Sequence, residues 1–232
     1  MPFNNYYPDF YTATILEWKR LLKPDKFKDI LISSLKFLIH NNRIVLYGFV
    51  IMDNHIHLIW QISDAYKPHE VQQSFMKFTS QMMLKELRNN HKKALALFEV
   101  NAKDRKHQIW ERNALSVSLF NRNVFLQKLE YIHNNPVRAG LCVLPEGYKY
   151  SSASFYFNGD KHWDFKAVGE EHQQRRKNYQ FLKKLFYFSS PKFFYERTYY
   201  KIILYYYYNY ILFYLWSPLY NRFLVNFQFR CY

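Results

Sequence analysis

Cysteine is nearly missing from this chain. Its 232 residues hold two, Cys142 and Cys231, and no CxxC pair. That leaves no disulfide framework and fits a reducing, cytoplasmic setting. The opening residues, MPFNNYYPDF, carry neither a basic n-region nor an apolar h-region, so no signal peptide is expected. No G-x-x-x-x-G-K-[ST] phosphate loop occurs, so no nucleotide-driven step is indicated. Long apolar runs are absent too. The nearest, Ile202–Trp216, spans 15 residues and contains Asn209, short of the ~20 that cross a bilayer. Acidic residues are scarce: 18 Asp and Glu stand against 33 Lys and Arg, a formal net charge of +15. This balance points to an anionic partner, nucleic acid ahead of an acidic membrane surface. What the chain does have is apolar mass. At 49% hydrophobic residues, it can bury the core of one large domain, or of one domain with an appendage.

The local patterns order themselves as strands and helices. Phe10–Ile15 is β-branched and aromatic, a first strand. Lys23-Pro24-Asp25 starts a helix with Asp25 as its N-cap, and Phe27, Ile30, Leu31, Leu35 and Leu38 give it an apolar stripe as far as Asn41-Asn42. Ile44–Met52 reads as an unbroken strand, Asp53-Asn54 as its turn, and the next strand returns antiparallel. Pro68–Asn90 is a second helix, with its stripe at Val71, Phe75, Phe78, Met82 and Leu87. Lys77, Lys85 and Arg88 lie off that stripe, either as a solvated face or as a phosphate-tracking one. The stretch 91–106 reads as a basic loop with one helical turn at Leu95–Val100. Gln108–Arg112 and Val117–Leu119 read as short strands. The order β-α-β-β-α-β predicts an α+β fold with a ferredoxin-like, split βαβ antiparallel sheet and packed helices. A third helix, Asn121–Asn134, is expected to end at Pro136.

The stretch with the most chemistry is IMDNHIHLIW, Ile51–Trp60. On a strand, positions two apart share a face. His55, His57, Ile59 and Gln61 therefore share one side, and the core-forming Ile56, Leu58, Trp60 and Ile62 the other. Two imidazoles side by side can hold a divalent metal. They can equally be two polar residues on a solvated strand face. Tyr131 and Asn135 stand four apart, on one face of the third helix's end; on position alone, a tyrosine there is ordinary half-buried packing.

The run LEYIHNNPVRAGL, Leu129–Leu141, followed by PEGYKYSSA at Pro145–Ala153, resembles the REP-associated tyrosine transposases. These belong to the single-tyrosine HUH transposases of insertion sequences. The upstream run VLYGFVIMDNHIHLIW resembles the same family's histidine strand. The likeness extends from about Phe10 to about Tyr156. It implies an HUH endonuclease core acting on single-stranded or hairpin DNA as monomer or homodimer. It implies His55 and His57 as metal ligands, Asn135 as the polar residue completing the site, and Tyr131 as the nucleophile. Mg²⁺ or Mn²⁺ is the implied cofactor, although imidazole nitrogens also accept Zn²⁺. Arg138 joins Lys77, Lys85 and Arg88 as candidate DNA contacts. The family chemistry suits these residue types, because a phenol is a weak nucleophile and an anionic phosphodiester repels attack. A different class, a non-catalytic nucleic-acid module, would place the same kind of sheet under RNA, but no RNP1-like pattern is present. An inactive transposase remnant is the third reading.

Composition shifts sharply after Gly169. From Glu170 onward there is no Gly, Ala or Asp, and Tyr205–Tyr208 stand in a row. Residues 1–166 are therefore expected to form the transposase domain. Residues 167–232 are expected to be an atypical basic and aromatic tail, frameshifted or read through. The rival for part of the tail is a DNA-binding helix at Gln173–Phe186.

Overall fold

The fold is that of a computed structural model describing residues 7–160 and Trp163. The expectations for 167–232, including the Gln173–Phe186 helix, lie outside the described residues. Four strands form the main sheet: β1 (Asp9–Thr14), β2 (Ile44–Ile51), β3 (His55–Ile62) and β6 (Leu115–Ser118). Their order is β2-β3-β1-β6, with every neighbouring pair antiparallel. With α1 (Asp25–His40) between β1 and β2, and α2 (Pro68–Asn90) between β3 and β6, this is the split βαβ arrangement that the element order predicts. The fold is α+β.

Each face of the sheet carries its own core. Tyr11, Ile56, Leu58, Trp60 and Ile62 pack with Leu31, Leu35, Val71 and Phe75 under α1 and α2. On the other face, Phe10, Val50 and Ile59 pack with Phe125, Leu129 and Ile132 of α4 (Arg122–Arg138) and with Tyr156 of α5 (Ala153–Asn158). The alternation of Ile56, Leu58, Trp60 and Ile62 against His55, His57 and Ile59 holds as expected. The histidine face is not a solvated one, however, because α4 covers it and His57 is only 6% exposed.

Several local expectations are corrected. Strand β2 is not regular: its register shifts between Leu46 and Gly48, which makes Tyr47 the extra residue of a bulge. The bulge sends Gly48 toward α4 while Phe49 joins the α1/α2 core. The stretch 91–106 is not a loop. It forms α3 (Lys92–Ala96) and a hairpin of β4 (Glu99–Ala102) with β5 (Arg105–His107). Gln108–Arg112 is not a strand, because its amides go to different neighbours. Gln108 N–H donates to Phe98 O at 2.9 Å and Glu111 N–H to Thr14 O at 2.8 Å, with Trp110 bridging Ile15 alone. In α2 the buried stripe is Val71, Phe75, Thr79, Met83 and Leu87, while Phe78 and Met82 are exposed. Thr79 is tolerated there because its hydroxyl donates to Phe75 O and accepts from Trp110 Nε1. Asp25 is not the cap of α1. Pro24 holds that position, and the Asp25 carboxylate accepts from Lys149 Nζ at 2.8 Å.

Pro136 does not end α4. The helix runs to Arg138 with Pro136 buried inside it. It closes by a Schellman arrangement: Gly140, at φ +70°, donates to Val137 O, and Leu141 donates to Pro136 O. Lacking an N–H, Pro136 leaves out the single i→i−4 bond to Ile132 O. The first helix does end where Asn41-Asn42 predicted, with Asn42 at φ +52° and Arg43 N–H on Leu38 O.

Candidate active site

The tight turn between β2 and β3 sets the histidine pair. Met52 N–H donates to His55 O at 2.8 Å and closes it. Asp53, in this turn, is buried and holds Arg20 Nη2 at 2.8 Å and Lys28 Nζ at 3.2 Å. Burial works against its charge, but the hydrogen bonds from Arg20 and Lys28 outweigh it and keep the carboxyl below its ordinary pKa. The turn is thus pinned to α1 and to the segment after β1, where Leu22 N–H donates to Asp53 O and Ile15 N–H to Asn54 O.

Emerging from this turn, His55 and His57 lie with ring centroids 4.8 Å apart. Each Nδ1 is engaged: His55 with Asn54 Oδ1 and His57 with Thr12 Oγ1, both at 2.7 Å. An amide oxygen only accepts, so His55 Nδ1 carries the proton. With Nδ1 held, Nε2 is the ring nitrogen left for a ligand, which is the support that metal-binding imidazoles commonly have. Burial lowers the pKa of His55. Burial, then the adjacent His55 and Lys128, push His57 down to about 3. Both rings are therefore neutral at pH 7 and keep a lone pair for a cation. Among the described residues, no cluster of three His, Cys, Asp or Glu forms a closed metal cage. The donor set fits an open site, with two neutral imidazoles and free positions for further ligands and substrate oxygens.

The structure brings Tyr131 to this pair. Helix α4 crosses the sheet so that the Tyr131 ring stands 5.4 Å from His57 and 6.2 Å from Phe10, and Phe10 itself stacks on His57 at 5.3 Å. Two cations flank the phenol ring: Arg138 Cζ lies 5.3 Å and Lys128 Nζ 5.8 Å from its centroid. Asn135 is half-buried one turn beyond Tyr131 on the same helix, the face that the i, i+4 spacing predicts. Lys77, Lys85 and Arg88 are not brought here. They are exposed on α2, which packs on the opposite face of the sheet. Of the four basic candidates, only Arg138 reaches the tyrosine.

The model of the family described as "Transposase IS200 like" matches residues 16–135. The chain belongs to that family. This IS200-like transposase contains both histidines, Tyr131 and Asn135 inside the matched span. Its family defines it as a DNA transposition enzyme, one that cleaves and rejoins strands. Among solved structures it is similar to a REP-associated tyrosine transposase bound to a REP hairpin. The TM-score is 0.50 and the identity 14%, over 71% of this chain and 85% of that one. The fold is the one the resemblance implied. A Deinococcus radiodurans R1 protein described as a candidate transposase is also similar, at 13% identity over 56% of this chain and 91% of that one, with a TM-score of 0.36. No curated protein matches the chain. No helix among the described residues is long and apolar enough to cross a membrane.

Sequence reasoning missed Thr12, Asn54 and Phe10, which hold and cover the imidazoles. It also missed Lys128. Thr12 lies 45 positions from His57, so only strand pairing reveals it: Thr12 is the direct β1 partner of His57. Lys128 had a local signal, being three residues before Tyr131 and hence on its side of the helix.

Proposed function

We propose that this transposase cleaves single-stranded or hairpin DNA by attack of the Tyr131 phenol on a phosphodiester. The observation that carries the reading is the placement of the Tyr131 ring against His57, 74 positions away in sequence, with two cations over it. In the reaction the phenol gives up its proton as its oxygen bonds to phosphorus, and the bond to the 3′-oxygen breaks. That oxygen takes up a proton and leaves as a free 3′-hydroxyl, while the 5′-phosphate stays on Tyr131. The phosphotyrosine keeps the bond energy, so a 3′-hydroxyl can later attack it and rejoin the strand. Lys128 and Arg138 offset the phosphate's charge as it approaches. His55 and His57 through Nε2, with the Asn135 amide oxygen, would hold Mg²⁺ or Mn²⁺. Such an ion, when bound, supplies Lewis-acid polarisation of the scissile phosphate. Phe10 shields the inner side of His57 from water.

The neighbouring tyrosines of the same motif are poor rivals. Tyr148 Oη donates to Ile51 O, and Tyr150 Oη donates to Asp29 Oδ1. Burial first, then nearby carboxylates, push both phenols up, away from the ionised form a nucleophile needs. The fold shared with a transposase solved on a DNA hairpin supports the choice of substrate class.

The test is covalent capture. Labelled single-stranded oligonucleotides from the DNA flanking the gene, with Mn²⁺, should give a protein–DNA adduct that survives denaturing electrophoresis. Tyr131→Phe should retain binding and lose the adduct. Adduct formation by Tyr131→Phe, or a peptide mass placing the DNA on Tyr148 or Tyr150, would overturn the assignment.

A further inference from the structure

Trp18 is a large aromatic side chain left 61% exposed beside a buried site. Its ring lies 5.8 Å from that of His55, edge to face. It adds a fourth ring to the succession of contacts Tyr131, His57, His55. The backbone that places it there is unusual. Glu17 and Trp18 both have left-handed angles, φ +53° and +57°, a conformation that L side chains adopt at a cost and seldom twice in succession. The surroundings hold it. The Glu111 carboxylate accepts from Glu17 N–H at 2.6 Å, Leu16 N–H donates to Ile109 O at 2.8 Å, and Trp18 N–H donates to Ile15 O at 2.9 Å. Asn54, the residue that orients His55, also donates through Nδ2 to Trp18 O at 3.4 Å. The turn that aims the histidines thus also aims the indole.

Hydrophobic burial does not explain this arrangement. Leu16 and Leu22 in the same segment are buried, so the segment anchors itself without the indole. A rigid, exposed aromatic face beside a site that takes an unpaired strand is the element that stacks a nucleobase, whatever the base's identity. We propose that Trp18 is a base-stacking subsite that receives one unpaired base next to the scissile phosphate of the DNA strand. This deepens the reading of Tyr131 as the nucleophile and rests on it.

The test uses the full chain with the single-stranded oligonucleotide that it cleaves, and a set of copies each carrying one abasic position near the cleavage point. Binding is read with Tyr131→Phe as background, so that cleavage does not interfere. Trp18→Ala and Trp18→Leu should weaken binding of the intact strand by about tenfold, the scale of one lost stacking contact. Trp18→Phe should bind nearly as wild type. One abasic position should weaken binding to Trp18 protein and have no further effect on Trp18→Ala. Unchanged binding by both Ala and Leu variants would overturn the subsite. So would equal weakening by Trp18→Phe, or a loss in Trp18→Ala that is the same for every abasic strand, since these would mean that the indole only props His55. Adducts are measured in parallel in the Tyr131 background. An adduct present in wild type with no Trp18 effect refutes the subsite alone, whereas no Tyr131-dependent adduct refutes the nucleophile. Should Trp18→Ala fold poorly, as judged by circular dichroism, the Leu and Phe pair decides the question.

Discussion

At Gly48 side chains of the helix bearing Tyr131 pack directly on the strand backbone, and adding one methyl there should be felt at the active site. A Cβ on Gly48 would lie 2.6 Å from Leu129 Cδ1, 3.1 Å from Ile132 Cδ1 and 3.4 Å from Ser152 Oγ. Ordinary carbon–carbon contact is about 3.5–4.0 Å, so α4 or the Leu129 side chain must give by about 1 Å. Neither has much room, since Leu129 is 1% and Ile132 0% exposed. Overpacking of this kind costs about 1–3 kcal/mol. Replacing glycine within a strand returns about 0.5–1 kcal/mol through the unfolded chain. Gly48→Ala should therefore lose about 1–2 kcal/mol in urea unfolding. Because Tyr131 lies between Leu129 and Pro136 on the displaced helix, adduct formation should fall further than stability does. A tenfold to hundredfold loss is the expected scale for an error of about 1 Å in alignment. Leu129→Ala should partly repair the variant: in the double mutant the new methyl occupies space that Leu129 vacates, so the two losses sum to less than their separate values by about 1 kcal/mol or more. Wild-type stability and adduct rate in Gly48→Ala, or strict additivity in the double mutant, would refute the claim that this contact sets the height of the helix.

Two further outcomes follow from the geometry. Thr12→Val keeps a β-branched strand residue and removes the hydroxyl on His57 Nδ1. The Mn²⁺ concentration needed for half-maximal adduct should rise about tenfold to a hundredfold; an unchanged Mn²⁺ midpoint would show that Thr12 does not orient the ring. His133, fully buried, bonds Ser152 Oγ at 2.7 Å, and burial lowers its pKa from 6.5 to about 3. Its folded pKa lies below the unfolded one, so the stability this ring contributes is complete above pH 6.5 and is lost as pH falls toward 3. Between pH 7.5 and 5 that loss is about 2 kcal/mol, one and a half pH units at 1.36 kcal/mol each. In metal-free protein, His133→Gln should show a correspondingly shallower fall in urea stability over that range. An identical slope in both proteins would mean that His133 is not held neutral.

Much of this protein was determined by short-range pattern. The alternation of Ile56, Leu58, Trp60 and Ile62 against His55, His57 and Ile59 depends only on the period of two in a strand, and it holds. So do the end of α1 at Asn41-Asn42 and the common helix of Tyr131 and Asn135. The order β-α-β-β-α-β was enough to specify the sheet, because antiparallel pairing and split βαβ connections leave few other solutions. The tertiary structure decided what depends on partners distant in sequence. Thr79 belongs to the core of α2 with its hydroxyl bonded both to its own helix and to the distant Trp110. The bulge at Tyr47 exists where Gly48 lets α4 approach. Pro136 remains helical because it is buried one turn before a cap that satisfies the last carbonyls. The meeting of Tyr131 with His57, and of Trp18 with His55, required the sheet, the crossing helix and the pinned turn to be assembled. Local sterics select strands and helices, but which side chain completes which site is set by the packing of elements that the chain keeps far apart.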